Sequence, residues 1–169
     1  MIRRTHDSEG TWSEAIYSDC ERYRYALTRV WDDAGKRVMF VMLNPSKADE
    51  IANDPTVERC ERRARALGYG AFRVTNIFAW RDTDPHAMRR AKEPVGPEND
   101  QTLIEGADWA DDIIAAWGAH GGHREQGAYV RDLLIGTKVP IHHLGLTKAG
   151  HPRHPLYISY TQEIELWRP

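Results

Sequence analysis

The sequence predicts an α/β fold: a three-layer α/β/α sandwich around a four-stranded, mostly parallel central sheet with an antiparallel N-terminal edge strand. Apolar runs alternate with segments of helical periodicity, which favours parallel strands connected by helices. The central runs are continuously apolar, as in strands covered on both faces. A length of 169 residues suits one domain, so we expect a single domain over residues 1–169. In it, residues 1–17 form an N-terminal extension and residues 18–167 form the α/β/α unit.

Four apolar runs are predicted to form the central strands, at residues 38–43, 72–78, 112–117 and 139–144. Residues 23–31 alternate in polarity, which indicates a strand with one wetter face. The turn-like sequence at 32–35 is too short to hold a helix between this strand and the next one. We therefore expect the first strand to pair antiparallel with its successor and to lie at an edge.

The predicted helices are recognised from capping residues and spacing. Asp54-Pro55 has the signature of an N-cap followed by the first helical residue, and Asp84-Pro85 repeats it. The first helix buries a stripe at helical spacing, and the arginines of this helix are interpreted as a mostly solvated face; the stripe is Val57, Cys60, Ala64 and Leu67. The remaining predicted helices span 97–107 and 124–135, and the tail at 156–167 is helical or mixed.

Composition argues against several classes of protein. No apolar run approaches the roughly 20 residues needed to cross a bilayer, so we expect no membrane span. No apolar stretch follows Arg3 and Arg4, so we expect no signal peptide and a cytoplasmic location. Cys20 and Cys60 are too few for a disulfide framework or a four-thiolate cluster. A net charge of −2 argues against a bulk nucleic-acid coat, while leaving room for a local basic face.

Polar side chains gather where the predicted central strands end. Ligands of open parallel sheets bind beyond the carboxyl ends of the strands, so we expect a ligand site at this edge. The candidate residues there are Asn44, Pro45, Ser46, Asn76, Trp80, Trp117, Gly118, Lys148, His151 and His154. Each also has a structural interpretation, since Asn-Pro sequences form turns and most polar side chains satisfy nearby backbone groups.

Metal binding and nucleophilic catalysis are both disfavoured by the spacing of the residues. His142 and His143 are adjacent on a predicted strand, so they point to opposite faces. The sequence contains no His-Glu-x-x-His, paired Cys-x-x-Cys, Gly-x-Ser-x-Gly, Walker loop or Gly-x-Gly-x-x-Gly. We therefore expect no metal and no cofactor.

A series of short motifs runs along almost the whole chain, at Tyr23–Arg29, Met42–Asp49, Asp54–Arg59, Trp117-Gly118 and Thr147–Tyr157. Together these motifs resemble a bacterial family of unknown function, DUF1643, over about residues 18–167. The resemblance to this family implies no particular activity.

The order of four motifs also resembles the uracil-DNA glycosylase superfamily. Leu43-Asn44-Pro45-Ser46 is similar to its first motif, and Asn76 stands where a base-reading Asn ends its second strand. Ala116-Trp117-Gly118 is similar to Leu-Trp-Gly, and His151–Leu156 is similar to His-Pro-Ser-Pro-Leu with one extra residue. The catalytic Asp of the most active branch is absent here. The extra residue leaves open whether His151 or His154 takes the histidine position.

This second resemblance implies hydrolysis of an N-glycosidic bond in DNA or in a nucleotide. Asn44 would position a water molecule, and His151 or His154 would stabilise the departing base. Asn76 would read the base edge, and Leu156 would fill the vacated stack. The implied phosphate contacts are Arg59, Arg62, Lys148 and Arg153. The implied partner is a nucleobase-containing small molecule or DNA, and the alternative is a non-catalytic nucleotide or nucleic-acid binding domain on the same fold.

Overall fold

The computed structural model describes residues 1–169 and contains one eight-stranded mixed sheet with four α-helices, which confirms the α/β class. The strands are β1 (Ile2–Ser8), β2 (Thr11–Tyr17), β3 (Arg24–Val30), β4 (Arg37–Met42), β5 (Ala71–Asn76), β6 (Asp112–Ala115), β7 (Ile141–His143) and β8 (Glu165–Leu166). The helices are α1 (Pro55–Ala66), α2 (Pro85–Arg90), α3 (Asn99–Trp109) and α4 (Gln126–Ile135), with a 3-10 segment at Ala119–Glu125.

The strand order is β1-β2-β3-β5-β4-β6-β7-β8, so the sheet has three more strands than the sequence predicted. β4 pairs in parallel with both β5 and β6, and β6 pairs in parallel with β7. The remaining pairs, β1–β2, β2–β3, β3–β5 and β7–β8, are antiparallel. The carboxyl ends of four neighbouring strands therefore meet at one edge of the sheet.

The strand predicted at the sheet edge, β3, lies inside the sheet instead. Residues 2–17, predicted as an extension, form the β1–β2 hairpin, and β2 pairs with β3 along its length. The hairpin turns at Glu9 and Gly10, both of which have positive φ angles, 51° and 77°. The hairpin was not predicted because most β1 side chains are exposed, so no apolar pattern marks the strand.

The turn at 32–35 also differs from its prediction, because β5 lies between β3 and β4. The turn passes across the start of β5 instead of closing a β3–β4 hairpin. The N–H groups of Trp31 and Asp32 both donate to the carbonyl of Gly70 at 3.0 Å. The N–H of Gly70 donates to the carbonyl of Lys36 at 2.8 Å. This close backbone approach leaves no room for a side chain at residue 70.

Apolar side chains of the strands alternate between two cores on opposite faces of the sheet. In β4, Phe40 belongs to one core and Met39 to the other. Helix α1 contributes Val57, Cys60 and Ala64 to the first core, while α3 and α4 contribute to the second. Leu67, predicted in the buried stripe, is 42% exposed because α1 ends at Ala66.

The predicted starts of α1 and α2 are confirmed, α3 and α4 each begin two residues later than predicted, and the tail differs from its prediction. Asp54 accepts a hydrogen bond from the N–H of Val57 at 2.9 Å, and Asp84 accepts one from that of His86. The tail contains no helix, and β8 is its only regular element. Arg63, predicted on a solvated face, is buried because it donates to the tail carbonyls of Ser159 and Gln162, each at 3.1 Å. No helix of the chain is both long and apolar enough to cross a membrane.

We expect Gly70→Ala to lower the free energy of unfolding by about 1–3 kcal/mol, as overpacking does. An added Cβ would stand 2.1 Å from the carbonyl oxygen of Asp32, which belongs to the backbone and cannot rotate away. Urea denaturation measures the change. Gly122→Ala is the matched control, because its Cβ would meet only ordinary contacts at 3.5 Å. Equal stability of the two variants would contradict this account of the turn.

Candidate functional site

A cavity of about 550 Å³ opens at the carboxyl-end edge of the parallel strands. Its wall is built from the loop after β4, the first turn of α1, the loop before α2, the loop after β6 and the C-terminal loop. The lining residues are Leu43, Asn44, Ser46, Lys47, Asp54, Pro55, Thr56, Asp82, Thr83, Pro85, Trp117, Gly118, Ala119, His120, His154 and Leu156. This is the edge at which the strand-end rule predicted a ligand site.

A smaller chamber of about 40 Å³, called here the inner chamber, adjoins this cavity. The two share Asn44, Ser46, Asp54, Thr56 and His154, and the inner chamber is further lined by Arg24, Met42, Pro45, Val57, Val74 and Asn76. All six of these additional residues are buried, so the inner chamber lies on the protein side of the cavity. A ligand in the large cavity therefore has a polar recess into which one of its groups can reach.

The side chain of Asn44 joins two loops of the cavity wall. Its Nδ2 donates to the carbonyl of Asp82 at 2.9 Å and to that of Pro45 at 3.3 Å. No protein group donates to its Oδ1. The amide nitrogen is thus committed to the protein, while the oxygen is left as an acceptor for a water molecule or a ligand.

Asn76 ends β5 and is only 1% exposed. Its backbone carbonyl accepts a hydrogen bond from Nδ2 of Asn99 at 2.8 Å, which fixes the end of the strand. Its own Nδ2 is buried without a hydrogen-bond partner, although Asn76 lines the inner chamber. A buried donor left unpaired costs about 1–3 kcal/mol, so this atom favours a ligand with an acceptor.

His154 lines both the cavity and the inner chamber. Its Nδ1 accepts a hydrogen bond from the N–H of Leu156 at 3.3 Å, which assigns the ring proton to Nε2. Burial lowers the pKa of His154 to about 4, although the nearby Asp54 carboxylate opposes the shift. At neutral pH the imidazole is therefore uncharged and offers one N–H donor.

The structure brings His154, and not His151, to the cavity. His151 borders a separate depression of about 220 Å³, together with Arg131 and Trp167. Trp117 lies between the two depressions and borders both. The side chain of Trp117 is only 2% exposed, and its ring centroid lies 5.7 Å from that of Trp167. Its indole is therefore mainly a core group.

Two further predicted residues line the cavity next to His154. Gly118 has a φ of 74° and donates its N–H to the carbonyl of Pro152 at 2.8 Å, which joins the β6 loop to the C-terminal loop. A Cβ at this position would stand 3.3 Å from Cβ of His154. Leu156 is half-buried in the cavity wall.

Besides His151, five predicted residues are not brought to the cavity. Trp80 packs edge-on against Tyr23, with 5.8 Å between ring centroids, and Lys148 is exposed in a turn. The other three are the arginines implied as phosphate contacts. Arg62 pairs with Glu58 at 2.9 Å on the surface, and Nε of Arg153 donates to the carbonyl of Leu146 at 3.3 Å.

Arg59, the third arginine, holds the C-terminal loop. Its Nε donates to the carbonyl of Pro155 at 3.0 Å, and its Nη2 donates to that of Ile158. Its guanidinium also lies 4.5 Å from the ring centroid of Tyr160. Because Pro155 follows His154 directly, Arg59 positions the loop that carries the imidazole, and its donors are used within the protein.

Several residues that line the site were not predicted from the sequence. Asp54 was interpreted only as a helix cap, yet the start of α1 belongs to the same sheet edge, which the strand-end rule includes. Its Oδ2 also accepts a hydrogen bond from the N–H of Ala48 at 3.2 Å. His120 lies two residues after the predicted Gly118, whereas Arg24 begins β3 and no local pattern marks it as a lining residue. No group of three or more His, Cys, Asp and Glu side chains is arranged to hold a metal ion.

We expect Arg59→Ala to lower the free energy of unfolding by about 1–3 kcal/mol, because two carbonyls lose a charged donor. Arg62→Ala, on the same helix but in contact with neither the cavity nor the tail, should cost much less, since it breaks only an exposed ion pair. Chemical denaturation of both variants measures the difference. A larger loss for Arg62→Ala would contradict the assignment of Arg59 as the residue that holds the loop.

Stability between pH 6.5 and 4 should depend on His154. The unfolded chain binds a proton at this histidine below about pH 6.5, whereas burial delays protonation in the folded protein until about pH 4. Falling pH therefore favours unfolding across this interval, by up to about 3 kcal/mol. His154→Gln should flatten this part of the stability curve, and His151→Gln should not. Identical pH profiles for wild type and His154→Gln would show that the imidazole is not held neutral.

Comparison with known proteins agrees with the motifs found in the sequence. The family model described as a protein of unknown function, DUF1643, matches residues 24–156, which is most of the chain and includes the main cavity-lining segments. No curated protein and no solved structure matches the chain. The chain belongs to the DUF1643 family.

Proposed function

We propose that the cavity binds the nucleobase of a nucleoside or nucleotide and hydrolyses its N-glycosidic bond. One observation carries this proposal: Asn44, Asn76 and His154, from three separate segments of the chain, line the same inner chamber. The resemblance to uracil-DNA glycosylases implies roles for Asn44 and Asn76, and it leaves the histidine open between His151 and His154. The convergence of Asn44, Asn76 and His154 supports a common role more than it supports three unrelated loop contacts.

In this mechanism the base places one edge in the inner chamber, where Nδ2 of Asn76 donates to an acceptor on the ring. As the bond to the sugar breaks, the bonding electrons leave with the base, and Nε2–H of His154 donates to the oxygen that gains negative charge. A donor placed in this way contributes about 2.7–4 kcal/mol of transition-state stabilisation. Oδ1 of Asn44 accepts a hydrogen bond from the attacking water, whose oxygen bonds to the sugar carbon and whose proton is released.

Two features support a small nucleobase-bearing substrate over duplex DNA. The arginines implied as phosphate contacts are engaged with protein groups or lie away from the cavity, and the net charge is −2. The fold itself is compatible with the superfamily: α1 covers one face of the sheet and α3 and α4 cover the other, which supports the three-layer α/β/α arrangement.

A second candidate, binding of a nucleotide without cleavage, is favoured by the state of the carboxylates. Both oxygens of Asp54 accept backbone N–H groups, and Oδ1 of Asp82 accepts the N–H of Asp84. Asp54 therefore has no free oxygen to act as a base on water, and Asp82 keeps only Oδ2 for that role. A protein with this arrangement would hold the base and leave the bond intact.

The test is release of free base from uridine, inosine, their 5′-monophosphates, and oligonucleotides containing uracil or hypoxanthine. Chromatography measures the product at high protein concentration. We expect His154→Gln to lower kcat about 10²–10³-fold, as the loss of one oxyanion donor does. His151→Gln is the matched control and should keep kcat within about twofold, because His151 lies outside the cavity.

Calorimetric binding measurements on the same compounds separate the two candidates. Binding without release would support the non-catalytic candidate. Release that is equally reduced by both histidine substitutions would contradict the role of His154. The proposal would be overturned if no compound were bound and no base were released.

A further inference from the structure

Arg24 is a buried arginine whose charge is not paired within the protein. Its side chain begins β3 and is 2% exposed. Nη1 donates to the carbonyl of Ala48 at 2.6 Å, and this is the only hydrogen bond of the guanidinium. Nε is buried without a partner, and no carboxylate lies within ion-pairing distance. Buried charges are normally paired and fully hydrogen-bonded, so this arrangement is costly unless another group completes it.

The unpaired guanidinium lines the inner chamber together with the unpaired amide of Asn76. Two buried donors without partners therefore border the same recess, and the N–H of His154 borders it as well. A water molecule needs about 10–15 Å³ of such space, so a chamber of about 40 Å³ holds roughly three heavy atoms. A carboxylate group has this size, and so does the carbonyl edge of a planar ring.

The charges around Arg24 are consistent with an acceptor in this recess. Burial lowers the pKa of Arg24 to about 10, so the side chain is still a cation at neutral pH. Arg29 and Arg81 add positive charge nearby, and Asp54 opposes it. Asp54 also lines the chamber, but its two oxygens already accept the N–H groups of Val57 and Ala48. The donors of the recess thus outnumber its uncommitted acceptors.

We propose that Arg24 anchors a subsite for an anionic or strongly polarised oxygen, either a carboxylate of the ligand or a carbonyl oxygen of its ring. This subsite rests on the proposed function, which gives the location of the binding site, and it makes that function more specific. It adds a specificity determinant that the motif comparison does not contain. This subsite excludes ligands that present an N–H donor or an apolar edge to the inner chamber, since such ligands would leave the guanidinium of Arg24 unpaired.

The two sources of oxygen are distinguished with formate and uracil as probes. Thermal stability is measured in sodium formate against sodium chloride of equal concentration, and uracil binding is measured by calorimetry. We expect formate to raise Tm, uracil to bind, or both, and Arg24→Met to weaken the responding probe about tenfold or more. A formate response identifies a carboxylate, and a uracil response alone identifies a ring oxygen.

Two further variants separate binding from folding. Arg63→Met removes another buried arginine, which binds the tail at a place outside the cavity, and should leave both probe responses unchanged. Arg24→Lys keeps the charge in case Arg24→Met does not fold, and should retain part of the response.

The inference is overturned if neither probe affects the wild-type protein, or if the responses of Arg24→Met and Arg24→Lys equal those of the wild type. This outcome is expected if the inner chamber holds only water. The proposed function is tested separately: an Arg24-dependent formate response without binding of any nucleoside supports the subsite and contradicts the proposed function. Base release that Arg24→Met leaves unchanged supports the proposed function and contradicts the subsite.

Discussion

The site depends most on the two backbone hydrogen bonds that the carboxylate of Asp54 accepts. One oxygen caps α1 through the N–H of Val57, and the other holds the β4–α1 loop through the N–H of Ala48. The carbonyl of the same Ala48 accepts from the guanidinium of Arg24, which comes from a different strand. The backbone of a single residue, Ala48, thus connects the start of α1 with β3. This connection sets the shape of the inner chamber, because Asp54 and Arg24 both line it.

The parts of the fold that could be predicted are those with local causes. The starts of α1 and α2 follow from Asp-Pro capping, and the central strands follow from continuous apolar runs. The position of β5 between β3 and β4 has no local cause, since it depends on which strands pair across distant parts of the chain. The β1–β2 hairpin was missed for a related reason: its outer strand is largely solvated, and its turn lacks the Asn-Gly or Asp-Gly signature.

The candidate site shows the same division. Asn44, Asn76 and Gly118 follow strands, so a rule about strand ends finds them. The choice between His151 and His154 required the path of the C-terminal loop, which is set by Pro152 accepting from Gly118 and by Arg59 holding Pro155. The arginines of α1 looked alike in sequence. Only their neighbours in the fold separate Arg62, which is solvated, from Arg59 and Arg63, which bind carbonyl groups of the tail.

Arg59 and Arg63 lie one helical turn apart and both donate hydrogen bonds to the tail, so the tail packs along one side of α1. The first turn of α1 forms part of the cavity wall. The helix therefore contacts both the cavity and the C-terminal tail, which is nearly one hundred residues further along the chain, as the contact from Arg59 to Ile158 shows. A tilt of α1 would carry the Asp54 end of the cavity and the loop of His154 in the same direction. Such a motion would preserve the spacing between Asp54 and His154 and would change their distances to Asn44 and Asn76, which belong to other elements.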